Sequence, residues 1–186
     1  MTQAETETDQ QLVEQVLGGK NEAFNLLVWR WQRQLYNFLL RLTADRELAQ
    51  DLSQEALLRS YLRLKDLRNK EKFAPWLFRI AVNLYRSDRR RPKLPIEGSV
   101  LLDGLGATSG PFRPGTREMQ LTLRSLVSRL TPEHREIVLL RVFHGFQFDE
   151  MAIVLDCPVS TLKSRLCRAF EELRAGLEDR EPPAGS

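Results

Sequence analysis

Thr161, Lys163, Ser164, Arg165 and Arg168 crowd into eight consecutive positions. Two hydroxyls and three cations have no base, nucleophile or metal ligand among them, so they suit hydrogen bonding to an anion rather than bond-making. In the stretch "CPVSTLKSRLCRAFEEL", residues 157–173, helical spacing places Leu162, Leu166, Ala169 and Leu173 on one stripe. Thr161, Ser164, Cys167 and Arg168 fall on the far side, and Lys163 and Arg165 lie on the two shoulders. A helix with an apolar back and a front of small hydroxyls and cations fits the major groove of a duplex, where cations reach phosphates and base edges. The acids Glu171 and Glu172 follow, where such a helix would leave the groove. An ordinary amphipathic helix with a solvated face is the alternative reading of this stretch alone.

Other chemistry finds little support. His134, His144, Cys157 and Cys167 match no zinc-ligand spacing. No phosphate-binding loop, nucleophile triad or carboxylate pair stands out. We read no catalytic residue, no metal and no cofactor. The two cysteines, ten positions apart, make no disulfide framework, and a reducing, cytoplasmic compartment is expected. The start "MTQAETETDQ" lacks a basic run before an apolar stretch, so no secretory signal is expected. Apolar runs are far shorter than the ~20 residues a membrane helix needs.

The elements that must carry these residues read as helices throughout. "QQLVEQVL" is short and stops at Gly18-Gly19. Asn21 is a candidate cap for a second helix, in which Phe24, Leu27, Val28, Trp31, Leu35, Phe38, Leu39 and Leu42 recur at helical spacing. Asp45 is a candidate cap for a third, running to about Leu64. "KDLRNKEK" is a polar break. A fourth helix starts near Phe73, with Pro75 in its first turn and Trp76, Leu77, Ile80, Ala81 and Leu84 as its apolar face. Residues 92–116 then hold four prolines and five glycines and no periodicity, which reads as a linker. Beyond it, Thr131-Pro132 opens a helix and Gly145 ends it. "FDEMAIVL", the turn "DCPV" and residues 159–177 form a helix-turn-helix pattern.

The expected fold is all-α: two small helical domains, residues 10–92 and 118–178, joined by a flexible linker over 93–117, the second domain containing the helix-turn-helix. Charge divides along the same line. Residues 10–92 hold sixteen Lys and Arg against nine Asp and Glu, and residues 118–178 hold eight against nine. A basic front half suggests a polyanion partner, a solvated basic surface being the alternative. Asp51, Gln54 and Glu55 share one side of the third helix with Leu58 and Leu62. A surface mixing acids with exposed leucines usually wants a partner. A solvated face with an internal Glu55–Arg59 pair is the alternative.

"LDCPVSTLKSRLCRAFEEL" resembles the end of the extracytoplasmic-function (ECF) sigma factors of bacterial RNA polymerase, members of the sigma-70 family. "AQDLSQEALLRSYLRL" resembles that family's polymerase-binding helix and "FAPWLFRIAVNLYRSDRRR" its promoter-melting helix, in the right order. The resemblance implies that residues 10–92 are sigma region 2 and residues 118–178 region 4. It implies core RNA polymerase as partner, through the large-subunit clamp helices and the flap, with Asp51, Gln54, Glu55, Leu58 and Leu62 at the clamp. It implies promoter DNA as a second partner, and an anti-sigma factor. The minus-10 element would be met by Asn69, Lys70 and Lys72, where cations hold the backbone and a small polar pocket takes an extruded base. Asn83, Arg86, Arg89 and Arg90 would continue that path. The minus-35 element would be met by Thr161, Lys163, Ser164, Arg165 and Arg168. The implied function is promoter recognition, DNA melting and transcription initiation without catalysis of its own. A stand-alone helix-turn-helix regulator and a helical adaptor with no DNA role are the rivals.

The sequence departs from the family pattern at several points. Ser160 stands for a usual Gly and Leu162 for a usual Val. Asp156 replaces a Gly at a helix end, where Asp is less comfortable in the left-handed region. Gln147 replaces a Ser or Thr cap, and Cys167 a larger residue. Trp31 and Trp76 lie in core stripes and read as structural, while Trp29 is off the stripe and is expected to pack on a neighbouring element. Relaxed, the linker spans ~25–30 Å; drawn out, it reaches roughly 80 Å. It is therefore expected to act as a tether.

Overall fold

The computed structural model describes residues 7–90 and 117–178, the side chains of 117–121 excepted. The expected linker lies outside the described residues, save Arg117, which opens a helix. Every described element is helical: α1 Asp9–Leu17, α2 Ala23–Thr43, α3 Arg46–Leu62, α4 Phe73–Arg89, α5 Arg117–Arg129, α6 Pro132–Val138, α7 Phe148–Leu155 and α8 Val159–Glu178. The chain divides into two compact units, α1 to α4 lying in the first and α5, α6, α8 and the start of α7 in the second.

In the first unit, α2 is the spine. Its expected stripe is inside: Leu27, Leu35, Phe38 and Leu39 are 0% exposed and Leu42 is 1%. Each such side chain contributes about 1.5–3 kcal/mol by leaving water. Asn21 does not cap α2. Glu22 holds the cap position in a helical conformation with no side-chain bond. The first N–H groups are satisfied by the backbone instead, Ala23 N–H donating to Lys20 O at 3.0 Å and Phe24 N–H to Asn21 O at 3.0 Å. Asp45 does cap α3, its Oδ1 accepting from Leu48 N–H at 3.1 Å. Ala44, between the two helices, takes the left-handed conformation at φ 56°.

The core face of α4 is rotated from the expected one. Phe73, Leu77, Phe78, Ala81 and Val82 are 0% exposed and Tyr85 is 4%. Trp76, Ile80 and Leu84 are half-buried at its flank. Phe78 decides the rotation, because its ring packs against both Phe38, 5.1 Å away, and Trp31, 6.3 Å away. The helix α1 is fastened to α2 by polar groups: Asp9 pairs with Arg30 and accepts from Trp31 Nε1 at 2.9 Å. Trp31 is thus structural, as expected. The polar break becomes two 3-10 turns, Leu64–Asp66 and Lys70–Lys72, pinned by buried Leu64 and Leu67.

In the second unit, α5 had no clear signal in the sequence. Its last carbonyls are satisfied by Arg135 of α6, which donates to Val127 O and Leu130 O at 3.2 Å each and to Ser128 O. Thr131 caps α6, accepting from His134 N–H at 3.3 Å. Past Val138 the chain widens into a π-helical turn over Leu139–Phe143 and ends at Gly145, φ 71°. The turn between α7 and α8 holds Asp156 at φ 52°, the left-handed position expected of it. Leu162, Leu166 and Ala169 of α8 are buried and Leu173 half-buried, which turns the opposite face outward. At Gly176 a Cβ would stand 2.8 Å from Leu126 Cδ2, so the missing side chain lets α5 and α8 approach closely.

Candidate functional site

Three surfaces gather the residues singled out in the sequence. The first is the outward face of α3. This helix buries four small side chains, Ala49, Ser53, Ala56 and Ser60, and Leu52 against its neighbours. Ser53 and Ser60 turn their hydroxyls back to Ala49 O (2.6 Å) and Leu57 O (2.7 Å), so neither burial strands a polar group. Three other large side chains point the other way: Leu58 is 54% exposed, Leu62 69% and Tyr61 38%. Asp51 and Gln54 are exposed and Glu55 half-buried on the same side. The Glu55–Arg59 pair expected of a solvated face is also present, at 2.6 Å, and as an exposed i,i+4 pair it contributes only ~0.3–0.5 kcal/mol. Beside Leu58 an open cleft of about 450 Å³ runs between α3 and the start of α2, lined by Phe24, Val28, Leu57 and Tyr61 among others. Tyr61 was missed in the sequence, although it stands three positions after Leu58. Trp29 does not pack on a neighbour as expected: it is 69% exposed.

The second surface runs from the 3-10 turn Lys70–Lys72 along α4. Asn69 caps that turn, its Oδ1 accepting from Glu71 N–H at 3.0 Å. Lys70 Nζ lies 3.5 Å from Glu14 Oε1. The Gln10 side chain, bonded to that carboxylate, together with Lys70 holds the Glu14 carboxyl below its ordinary pKa. Asn83, Arg89 and Arg90 are exposed and Arg86 half-buried, with the Arg89 guanidinium 5.7 Å from the Tyr85 ring centroid. These residues do not form one pocket. Lys72 precedes α4 and Arg90 follows it, and at ~1.5 Å per residue they stand roughly 25 Å apart. An extended strand could follow such a track; a compact ligand could not touch both ends.

The third surface is the front of α8. Thr161 is half-buried, and Ser164, Cys167 and Arg168 are exposed. Ser164 Oγ donates to Ser160 O at 3.2 Å. Arg168 has no hydrogen-bond or ion-pair partner among the described residues. The shoulders differ. Lys163 lies over the Phe148 ring, 5.8 Å from its centroid. Arg165 is half-buried and turned back to Glu133 of α6 at 3.3 Å. The acids further along are also occupied, Glu172 by His134 Nδ1 at 2.7 Å and Glu171 by the Cys167 thiol at 3.7 Å. The structure therefore leaves Arg168 as the freest cation of the face and gives Arg165 a second role in joining α6 to α8. Glu133, Arg141 and Phe148 were not singled out in the sequence, because what marks them is contact across helices. Among the described residues no group of His, Cys, Asp and Glu is placed to hold a metal ion.

Comparison with known proteins bears on all three surfaces. Residues 27–93 match the family described as Sigma-70 region 2, and residues 120–173 the family described as Sigma-70, region 4. The chain is 34% identical over 183 residues to the RNA polymerase sigma-H factor of Pseudomonas aeruginosa, covering 92% of this chain and 95% of that protein. It is 34% identical over 177 residues to the ECF RNA polymerase sigma-E factor of Escherichia coli K12, covering 89% and 92%. In fold it is similar to CnrH, solved in complex with the cytosolic domain of CnrY, with a TM-score of 0.70 at 24% identity over 94% of this chain and 100% of that one.

Proposed function

We propose, from the premise that this chain belongs to the ECF sigma factors of the sigma-70 family and directs RNA polymerase to promoters in transcription initiation, a division of that work among its three surfaces. The outward face of α3, Asp51, Gln54, Glu55, Leu58 and Leu62, docks on the clamp helices of the large polymerase subunit. The turn at Asn69, Lys70 and Lys72 and the edge of α4 at Asn83, Arg86, Arg89 and Arg90 follow the non-template strand of the minus-10 element. Thr161, Lys163, Ser164 and Arg168 meet the minus-35 element, Lys163 at phosphate and Arg168 at base edges, with Arg165 contributing charge from the shoulder. Residues 10–92 act as region 2 and 118–178 as region 4, with 93–117 between them as a tether. The protein catalyses nothing itself and works in the cytoplasm, where an anti-sigma factor competes with polymerase for it.

The observation that carries this reading is the inside-out pattern of α3. A helix that buries two alanines, two serines and one leucine while presenting two leucines and a tyrosine to water is poorly arranged for a solitary bundle. It is well arranged for a helix that is covered in an assembly. Charge reversal at Asp51 and Glu55 should weaken binding to core polymerase in a titration while leaving helicity unchanged. Unaltered affinity would remove α3 from the interface.

A further inference from the structure

Phe148 opens α7, and two cations from different elements lie over its ring. The Arg141 guanidinium is 5.3 Å from the ring centroid and the Lys163 ammonium 5.8 Å. Both fall inside the ~6 Å within which an aromatic face attracts a cation. Arg141 is held further by its own donors, to Phe146 O at 2.9 Å and Gln147 Oε1 at 3.2 Å. Glu150, in the first turn of α7, accepts from the Gln147 N–H at 2.9 Å. Neither Arg141 nor Lys163 is ion-paired to a carboxylate among the described residues. Arg165, by contrast, is paired to Glu133. The ring thus gathers two positive charges, neither of them in a direct ion pair among the described residues.

We propose that Phe148 is a positioning residue for DNA binding: its ring holds Arg141 and Lys163 together as a two-cation clamp on the phosphate backbone beside the groove that α8 enters. This rests on the reading that the front of α8 faces promoter DNA. The physical advantage is pre-ordering. A solvated lysine loses rotamer freedom when it seizes a phosphate, and a lysine already resting on a ring loses less. Two cations on one support suit a backbone carrying a negative charge every few ångströms. They carry no sequence information, so they fix the placement of α8 while Arg168 reads bases.

The test is a double-mutant cycle in holoenzyme assembled with the full-length chain, read as promoter affinity over a series of salt concentrations. Lys163→Ala should weaken all promoters alike and lower the slope of log affinity against log salt by about one. Phe148→Leu, which keeps both charges and removes the ring, should weaken binding about two- to fivefold, the size of an exposed cation–ring attraction. Phe148→Tyr should restore it. With Phe148→Leu already present, the loss from Lys163→Ala should shrink by the part of that factor that the ring transmits through Lys163, the remainder belonging to Arg141. An undiminished Lys163→Ala loss overturns the clamp and leaves the α8 interface standing. No loss and no change of slope from Lys163→Ala alone overturns both. A second measurement needs no variant that might fail to fold. In the free full-length chain, ring current should move the Lys163 ε-methylene protons upfield of those of the other lysines, and ordinary shifts would overturn the stack.

Discussion

Removing the two outward leucines of α3 should separate stability from assembly. Leu58 is 54% exposed and Leu62 69%. Fully burying a leucine contributes about 1.5–3 kcal/mol, so covering these exposed fractions contributes about 2–4 kcal/mol for the pair. Leu58→Ser with Leu62→Ser forfeits most of that at the interface, which corresponds to a roughly twentyfold to several hundredfold weaker complex. The free protein should hardly notice, because exposed side chains away from caps and cores typically change stability by within about 0.5 kcal/mol. The assay is titration of core polymerase into the fluorescently labelled chain, with a urea melt of the same variant beside it. Leu17→Ser, which removes a 40% exposed leucine from the end of α1, is the control and should leave affinity unchanged. A double variant that keeps its melting curve and binds core polymerase normally would refute the reasoning. So would a loss of binding that merely tracks unfolding.

Arg168→Ala should reorder promoters that differ in the upstream element, by about 1–3 kcal/mol at the base it reads; an unchanged ranking in transcription assays would show that it reads none. Ala44→Gly should raise the melting temperature. The left-handed conformation at φ 56° costs a residue with a Cβ about 1–2 kcal/mol, more than the ~0.4–1 kcal/mol by which the freer unfolded chain offsets it. A fall in melting temperature would contradict that accounting. The Glu14 carboxyl, its folded pKa lowered chiefly by Gln10 and then by Lys70, contributes its stabilisation fully above its ordinary pKa and loses it as pH falls through the lower folded value. Gln10→Ala should move the Glu14 titration, followed by carboxyl NMR, upward; an unmoved midpoint would assign the shift elsewhere.

Where one periodicity dominated, the sequence was easily read. In α2 the eight expected positions lie at a single helical spacing, and all are buried or half-buried. In α3 the same spacing identified the outward face, because acids and leucines shared it. In α4 two overlapping apolar stripes compete, and only the packing of Phe78 against Phe38 and Trp31 selects one. The α5 helix escaped notice since its end is satisfied by Arg135 from the next helix rather than by a cap of its own. Asn21 looked like a cap, but a backbone turn already satisfies the N–H groups it would have served. On α8 the spacing identified the front face. It could not show that Arg165 turns to Glu133, that Lys163 rests on Phe148, or that Arg141 meets the same ring, because each of those contacts joins separate elements.

The most direct test of the division of labour places a photo-crosslinking amino acid at position 62 or at position 168 and forms one holoenzyme–promoter complex with each. Position 62 should crosslink to the large polymerase subunit and not to DNA, and position 168 to upstream promoter DNA and not to that subunit. A crosslink from position 62 to DNA, or from position 168 to protein alone, would contradict the assignment of α3 to polymerase and α8 to the promoter.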